Sequence, residues 1–428
     1  MKLKTIITAT IILITYPYYL HANATSTEDD VVEEKSGGEY AEFPEAMSFE
    51  LDSLINLYMS RNYLDEDSEC NMTDVNPEYE EETYIDRLTR LPTLIEMPYN
   101  DVVRKFIDRY SGKLRHSVSY MLGASNFFMP LFEEALESYG LPLELKYLPI
   151  VESALNPTAV SSAGAAGLWQ FTVATGKRYG LEINSLVDDR LDPVKSSYAA
   201  AHYLSELYSM FGDWTLALAA YNCGPDQLNK AIHRAKGERD YWQIYPYLPR
   251  ETRGYVPAFI AANYIMTYYC DHNICPMTTR LPAHTDTVMV SQELHLIQIA
   301  DVCNIDIDLL RALNPSYRSD IIPGNISPCP VRLAQTDVAR FIDYEDSVYA
   351  YKPESLVSKR SVVTVKSDEP AKTSKKKKKS SGAQYITIKS GQTLGSIAKK
   401  YGTTVRKLQQ LNGLRNTKIR AGKRLRVR

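Results

Sequence analysis

From Tyr84 to about Cys275 the apolar residues recur at three- and four-residue steps, and no alternating strand pattern of useful length interrupts them. This periodicity predicts a compact all-helical domain of roughly 190 residues, ample for a buried core. Val102, Val103, Phe106 and Tyr110 form one stripe, and Phe127 to Tyr139 form another that Gly140 stops. Further helices are predicted over Leu143–Ala154, about Leu168–Tyr179, Pro193–Met210, Trp214–Tyr221, Asp226–Lys236 and Arg250–Tyr269. Asn156-Pro157 ends the first of these. The small-residue loop Ser161-Ser162-Ala163-Gly164-Ala165-Ala166-Gly167 then lets backbone approach a ligand or another helix closely.

Within this helical stretch one carboxylate stands out. Leu145, Leu148, Val151 and Leu155 make a buried stripe, and Glu152 directly follows one of its members. A carboxylate at the edge of a dry face loses hydration of its charged form, so its pKa rises. That keeps it protonated near neutral pH, as a general acid requires. The competing structural reading has Glu152 pointing to water or pairing with Lys146 or Arg190.

Charge is unevenly spread along the 428 residues, whose formal net charge is only -3. Residues 25–82 carry 19 acidic and 2 basic side chains, and residues 385–428 carry 12 Lys or Arg and no acid. The acidic stretch, bounded at residue 83, reads as a solvated arm with one amphipathic helix over Ser48–Tyr63. Ahead of it, Lys2 and Lys4, an apolar run from Ile6 to about Leu20 and Ala22-Asn23-Ala24 read as an export signal over residues 1–24. An exported chain destined for the periplasm or cell envelope meets oxidising conditions, so its six cysteines can pair. Cys270 with Cys275 and Cys303 with Cys329 are the pairs that proximity suggests. Cysteine and histidine spacing shows no metal site, and no cofactor or nucleic-acid partner is expected.

Beyond the helical domain (84–280) the pattern changes. Ile299-Ala300 through Leu313-Asn314 aligns without gaps with Ile397-Ala398 through Leu411-Asn412, offset by 98. Each copy follows one short β-like run and precedes another, which predicts two small α+β (βααβ) modules, 284–333 and 385–428. Between them lies a Lys/Ser-rich linker (334–384), in which Asp337 to Tyr351 can add structure to the first module. Its run Lys375–Lys379 reads as self-repelling, or as attracted to membrane or anionic wall polymers.

Four pieces in order carry a resemblance: Glu152-Ser153-Ala154; Gly164-Ala165-Ala166-Gly167-Leu168-Trp169-Gln170-Phe171; Ala219-Ala220-Tyr221-Asn222-Cys223-Gly224-Pro225; and Glu251-Thr252-Arg253-Gly254-Tyr255-Val256-Pro257. Together they resemble the soluble-lytic-transglycosylase catalytic domain, a goose-lysozyme-like fold, in its membrane-bound lytic murein transglycosylase D form. The resemblance implies a mainly α, lysozyme-like domain that cuts peptidoglycan glycan strands between N-acetylmuramic acid and N-acetylglucosamine. It casts Glu152 as the single acid and base. Ser161, Gln170, Tyr221, Asn222, Glu251 and Tyr255 become substrate-binding residues. Trp169 is expected in the core, and Arg190 and Arg253 as ion-pair scaffolding. Asp188 and Asp192 read as helix-boundary residues rather than as a second catalytic carboxylate.

The last segment, from Tyr385-Ile386-Thr387-Ile388 onward, resembles a LysM module. That implies glycan binding through Gly391, Gln392, Thr393, Leu394 and Asn412, with Gln392 standing where the family usually has Asp. The 284–333 copy lacks the Gly-Asp-Thr-like loop and reads as a packing module. The alternatives to a transglycosylase are a hydrolytic muramidase, which needs a second carboxylate, and a non-catalytic wall-binding protein.

Overall fold

The computed structural model describes residues 31–32, 41–48, 72–357, 385–414 and 416–427. The export signal, the amphipathic helix beyond Ser48 and the lysine run lie outside the described residues. The chain divides into two units, Met1–Ser367 and Asp368–Arg428.

The first unit opens with a short antiparallel pair, β1 (Val31–Val32) and β2 (Ala41–Glu42). Ten helices follow: α1 Glu81–Thr89, α2 Asp101–Ser111, α3 Arg115–Ser138, α4 Leu148–Ser153, α5 Val173–Arg178, α6 Pro193–Phe211, α7 Trp214–Cys223, α8 Pro225–Arg234, α9 Tyr241–Ile244 and α10 Arg250–Tyr268. Helix α10 is the axis of the core. Its residues Gly254 through Met266 are all buried, and it packs against α2 and α7. Helix α6 packs against both α3 and α7. Local caps set several boundaries. The Asn100 side chain accepts from Val103 N–H, Asp192 from Val194 and Lys195 N–H, and Asp213 from Leu216 N–H.

Two helical expectations change. Leu143–Tyr147 is a 3-10 turn, and only Leu148–Ser153 is α-helical before Ala154 and Leu155 both turn left-handed. Residues Leu168 to Phe171 are not helical. Ala166 forms isolated bridges with Val160 and Phe171, Gln170 has φ 48°, and helix begins only at Val173. Trp169 is buried, as expected, with its Nε1–H on Ser197 Oγ at 2.9 Å.

The acidic arm also departs from a solvated tail. Ala46 and Met47 join the main core, and Phe43 meets Phe106 edge-on with 4.8 Å between ring centroids. The guanidinium of Arg109 lies 4.0 Å from the Phe43 ring centre. Further along, Asn76 Oδ1 accepts from His272 Nδ1–H at 2.8 Å, and the Tyr79 hydroxyl donates to Asp271 O. The high average charge of this stretch concealed a few apolar anchors.

The cysteine pairings are corrected as well. Cys270, Cys303 and Cys329 are free thiols, and Cys275 is disulfide-bonded. Nearness in sequence did not bring the proposed pairs to bonding geometry.

The first module contains β3 Thr285–Val290, β4 Glu293–His295, α11 Leu296–Cys303, α12 Ile307–Leu313, β5 Ile321–Pro323 and β6 Cys329–Ala334. Strand β3 pairs antiparallel with β6, and β4 with β5. Helix α13 (Gln335–Ala350) packs on α11 and the β3–β6 ribbon, so the module extends past residue 333 and the linker begins later than expected. A short α14 (Pro353–Leu356) follows. The second unit is a separate βααβ module: β7 Tyr385–Thr387, α15 Leu394–Lys400, α16 Val405–Asn412 and β8 Arg424–Arg426, with β7 and β8 antiparallel. Leu394, Ile397, Leu408 and Leu425 form its core.

Gly254 is where the arm meets α10: a Cβ there would lie 2.1 Å from the Glu42 carbonyl oxygen. Gly254→Ala is expected to displace residues 41–48 at a cost of about 1–3 kcal/mol. A thermal melt and limited proteolysis check this, and unchanged melting with unchanged cleavage of that segment would contradict it.

Candidate active site

A cleft of about 640 Å³ opens over the end of α4. Its walls bring together Glu152, Ser161, Gln170, Tyr221, Asn222, Glu251 and Tyr255, seven residues drawn from four separate stretches of sequence. Glu42, Phe43, Pro44 and Glu45 add a wall from the N-terminal arm that motif reading did not anticipate. The signal available for it was Phe43-Pro44, an aromatic-proline pair amid carboxylates.

Glu152 sits on the last turn of α4, and the chain leaves immediately through left-handed Ala154 and Leu155. Ser153 fastens this exit from beneath, donating to Pro149 O at 2.9 Å and to Leu168 O at 3.0 Å. The carboxyl of Glu152 accepts from the Tyr255 hydroxyl at 2.5 Å. Burial pushes the Glu152 pKa up. The Tyr255 hydrogen bond opposes that shift, Glu251 reinforces it, and the result is about 8. Neither basic residue suggested as a structural partner reaches it, since Lys146 pairs with Glu133 and Arg190 with Asp188.

The loop bearing Ser161 and Gln170 is folded on itself. Ser161 N–H donates to Ala165 O, and Ser161 Oγ accepts from Ala165 N–H. Gln170 Nε2 donates to Gly167 O at 2.8 Å, which helps hold its left-handed backbone. Gly167 is required here, because it has φ 84° and a Cβ would stand 1.8 Å from Arg190 O. On the arm side, Glu45 accepts from Ser162 N–H at 3.1 Å.

Tyr221 donates its hydroxyl to Trp169 O at 2.9 Å, so it braces the loop while Tyr255 holds the acid. Asn222 accepts from Thr252 Oγ1 at 2.7 Å and reaches Glu251 at 3.4 Å. Arg253 donates to the carbonyls of Leu248 and Pro246 and forms no ion pair among the described residues. The other carboxylates near the motif are spent elsewhere. Asp188 is buried against Arg190, Asp189 against Lys195, and Asp192 and Asp213 cap helices. No cluster able to hold a metal ion occurs among the described residues.

In the C-terminal module, Gly391 takes φ 83° and Gln392 Oε1 accepts from Lys389 N–H at 2.9 Å. The loop is therefore closed with Gln where Asp is usual. Thr393 caps α15 and Leu394 is buried in the core. Asn412 spends its amide on the module's own backbone, at Leu408 O, Arg426 O and Arg426 N–H. Asn314 makes the matching bonds in the first module.

Three family descriptions match the chain: the transglycosylase SLT domain at 130–244, the LysM-like domain of lytic transglycosylase MltD at 284–350, and the LysM domain at 386–428. A lysozyme-like helical domain with one partly buried acid on an open cleft, followed by LysM-type modules, is the class this architecture defines. The chain is 31% identical over 335 residues to membrane-bound lytic murein transglycosylase D of Escherichia coli K12, covering 77% of this chain and 70% of that protein. It belongs to the membrane-bound lytic murein transglycosylase D family. It is also 38% identical over 104 residues to a putative tributyltin chloride resistance protein of an Alteromonas species, covering 24% of this chain and 50% of the other. Among solved structures, the 70 kDa soluble lytic transglycosylase of Escherichia coli is similar at 24% identity and TM-score 0.31, over 40% of this chain and 31% of the other.

The Tyr255 hydroxyl favours the charged form of Glu152, so its removal raises the Glu152 pKa further. The alkaline limb of the pH–rate profile is expected near pH 8 in the native protein and at higher pH in Tyr255→Phe. A limb that stays put or moves to lower pH would contradict the assignment.

Proposed function

We infer that this chain is a peptidoglycan lytic transglycosylase, held to its glycan by the C-terminal LysM module. The observation that carries the reading is Glu152, bonded to the Tyr255 hydroxyl and with its pKa raised by burial to about 8, on the cleft of a protein of this family. Glu152 donates its proton to the oxygen bridging N-acetylmuramic acid and N-acetylglucosamine, and that C–O bond breaks. The substrate's acetamido group supports the positive charge at the anomeric carbon. Glu152, now a carboxylate, takes the proton of the muramic acid C6 hydroxyl, whose oxygen closes a 1,6-anhydro ring. The proton count balances without water, and one carboxyl group serves both steps.

Ser161, Gln170 and Asn222 supply hydrogen bonds to sugar or peptide groups, Tyr221 and Tyr255 fix the loop and the acid, and Glu251 lines the cleft. The LysM loop at Gly391–Leu394 binds glycan, with Asn412 clamping the strand behind it. Tethering raises the local concentration of strands at the cleft without any new catalytic contact. The protein works in the cell envelope, which its family supports. Export through residues 1–24 and residence in the periplasm fit the sequence, and the basic linker fits attraction to wall polymers or membrane.

Mass spectrometry of digested peptidoglycan tests the reaction. Products ending in 1,6-anhydromuramic acid are expected. Reducing ends carrying water would replace this reading with a hydrolytic one, for which Glu251, Glu42 and Glu45 are the other carboxylates on the cleft wall. Glu152→Gln is expected to lower kcat by about 10²–10⁴-fold. A variant as fast as the native protein would remove Glu152 from its role, and would favour a wall-binding protein if neither form releases muropeptides.

A further inference from the structure

The first LysM-like module meets the catalytic domain along the stretch Leu186 to Arg190, and its Ala312 also packs against the main helical core. Leu186 and Val187 are buried in the core of the module rather than in that of the catalytic domain. Val187 bridges Tyr317 as an isolated β-pair, Asp188 N–H donates to Ser316 O at 2.9 Å, and Arg318 N–H donates to Leu186 O at 2.8 Å. At the centre is Asp188, only 1% exposed. Its carboxylate takes Arg190 in a bidentate pair, Nε to Oδ1 at 2.9 Å and Nη2 to Oδ2 at 2.8 Å. Arg318 of the module adds a third bond, Nη2 to Oδ2 at 2.5 Å.

The remaining nitrogen of Arg190, Nη1, points the other way. It donates to Gly164 O at 2.9 Å and to Phe171 O at 3.1 Å. These carbonyls lie at the tip and the far end of the loop that carries Ser161 and Gln170. The loop tip, Ser162 to Gly164, is exposed and has no apolar side chain larger than Ala163 to anchor it. Arg190 fastens it from the module side, while Glu45 and the loop's own Ser161–Ala165 bonds hold it elsewhere, and the plane of Arg190 is set by the carboxylate that Arg318 also holds.

The two module copies differ at the contact itself. From the clamp asparagine to the strand it holds there are eighteen residues in the first copy (Asn314 to Arg332) and fourteen in the second (Asn412 to Arg426). The longer connection of the first copy contains Ser316, Tyr317 and Arg318, the residues that meet the catalytic domain. Lengthening of this loop thus coincides with its use as a docking contact.

We propose that Arg318 is a positioning residue for the transglycosylase reaction, acting through Asp188 and Arg190 on the Ser161–Phe171 loop, and that the first LysM-like module serves as a buttress of the catalytic domain. This rests on the function inferred above. The relay works by geometry: misplacing groups that orient the reacting sugar lowers the rate more than it weakens ground-state binding. Arg318 is partly solvent-exposed, so its loss leaves a buried Asp188–Arg190 pair free to reorient rather than a bare buried charge.

The test uses the full chain and soluble glycan oligomers. Arg318→Ala is expected to lower kcat about tenfold with KM changed less than about threefold. Arg318→Lys, which can still reach Asp188, is expected to recover much of the loss. Arg311→Ala removes the exposed pair with Asp320 in the same module and is expected to leave kcat unchanged. Hydrogen exchange should quicken at residues 161–171 in Arg318→Ala and stay the same in α10. An Arg318→Ala variant with native kcat, or one whose loss is matched by Arg311→Ala, would overturn the proposal. A native protein that yields no anhydro product would instead overturn the functional reading beneath it.

Discussion

The architecture around the cleft depends on keeping one carboxylic acid dry while leaving it open to substrate. An ordinary glutamate is ionised well below neutral pH and has no proton to give. Glu152 escapes this because α4 delivers it at the rim of an apolar wall and then stops. The left-handed pair Ala154 and Leu155, both buried, ends the helix and turns the chain into the loop that carries Ser161 and Gln170. Left-handed backbone at non-glycine residues is costly, and it persists where the surroundings fix it. Here Ser153 bonds two carbonyls beneath the turn and Tyr255 holds the acid from α10. Helix α10, buried from Gly254 to Met266, thus supplies the hydroxyl that holds Glu152.

Electrostatics separates the remaining carboxylates by function. Burial alone would raise the pKa of Asp188 as it does that of Glu152, but hydrogen bonds and charge from Arg190 and Arg318 reverse the direction. Asp188 is therefore held as an anion by two guanidinium groups, whereas Glu152 makes no ion pair among the described residues and its pKa is raised. The same residue chemistry, placed a short distance apart, gives a strut in one case and an acid in the other.

Much of this was legible in the sequence, and the misses have physical causes. Helices α6, α7 and α10 followed from their apolar periodicity with ends close to those expected, because long stripes and Asp caps are local signals. Glu152 and its six companions were legible as ordered motifs, and the cleft unites them. The partner of the acid was not legible. Tyr221 and Tyr255 are both tyrosines on helices, and only the crossing of α4 with α10 decides which one reaches Glu152. The Leu168–Phe171 segment has helix-like composition, yet the bridge from Phe171 to Ala166 and a positive φ at Gln170 override it. The arm was misjudged because average charge says nothing about where Phe43, Ala46 and Met47 fall. The disulfide pattern was out of reach for the reason that spacing in sequence does not set distance in space.

The wall formed by Glu42 to Glu45 bears on where this protein can be cut or recombined. Motif matching draws the enzyme as residues 130–244, but the floor of the cleft comes from α10, one side from residues 41–48, and the loop's brace from a module beyond residue 284. The stretch that shapes the cleft, residues 41–350, is then less than three times as long as its recognisable signature, residues 130–244, but more than twice. A gene fusion or domain swap made at the signature's borders would move the acid without the parts that shape its pocket. The C-terminal module is a separate unit with a core of its own. Variety in this architecture is accordingly freer at the glycan-binding end than anywhere between the arm and the first module.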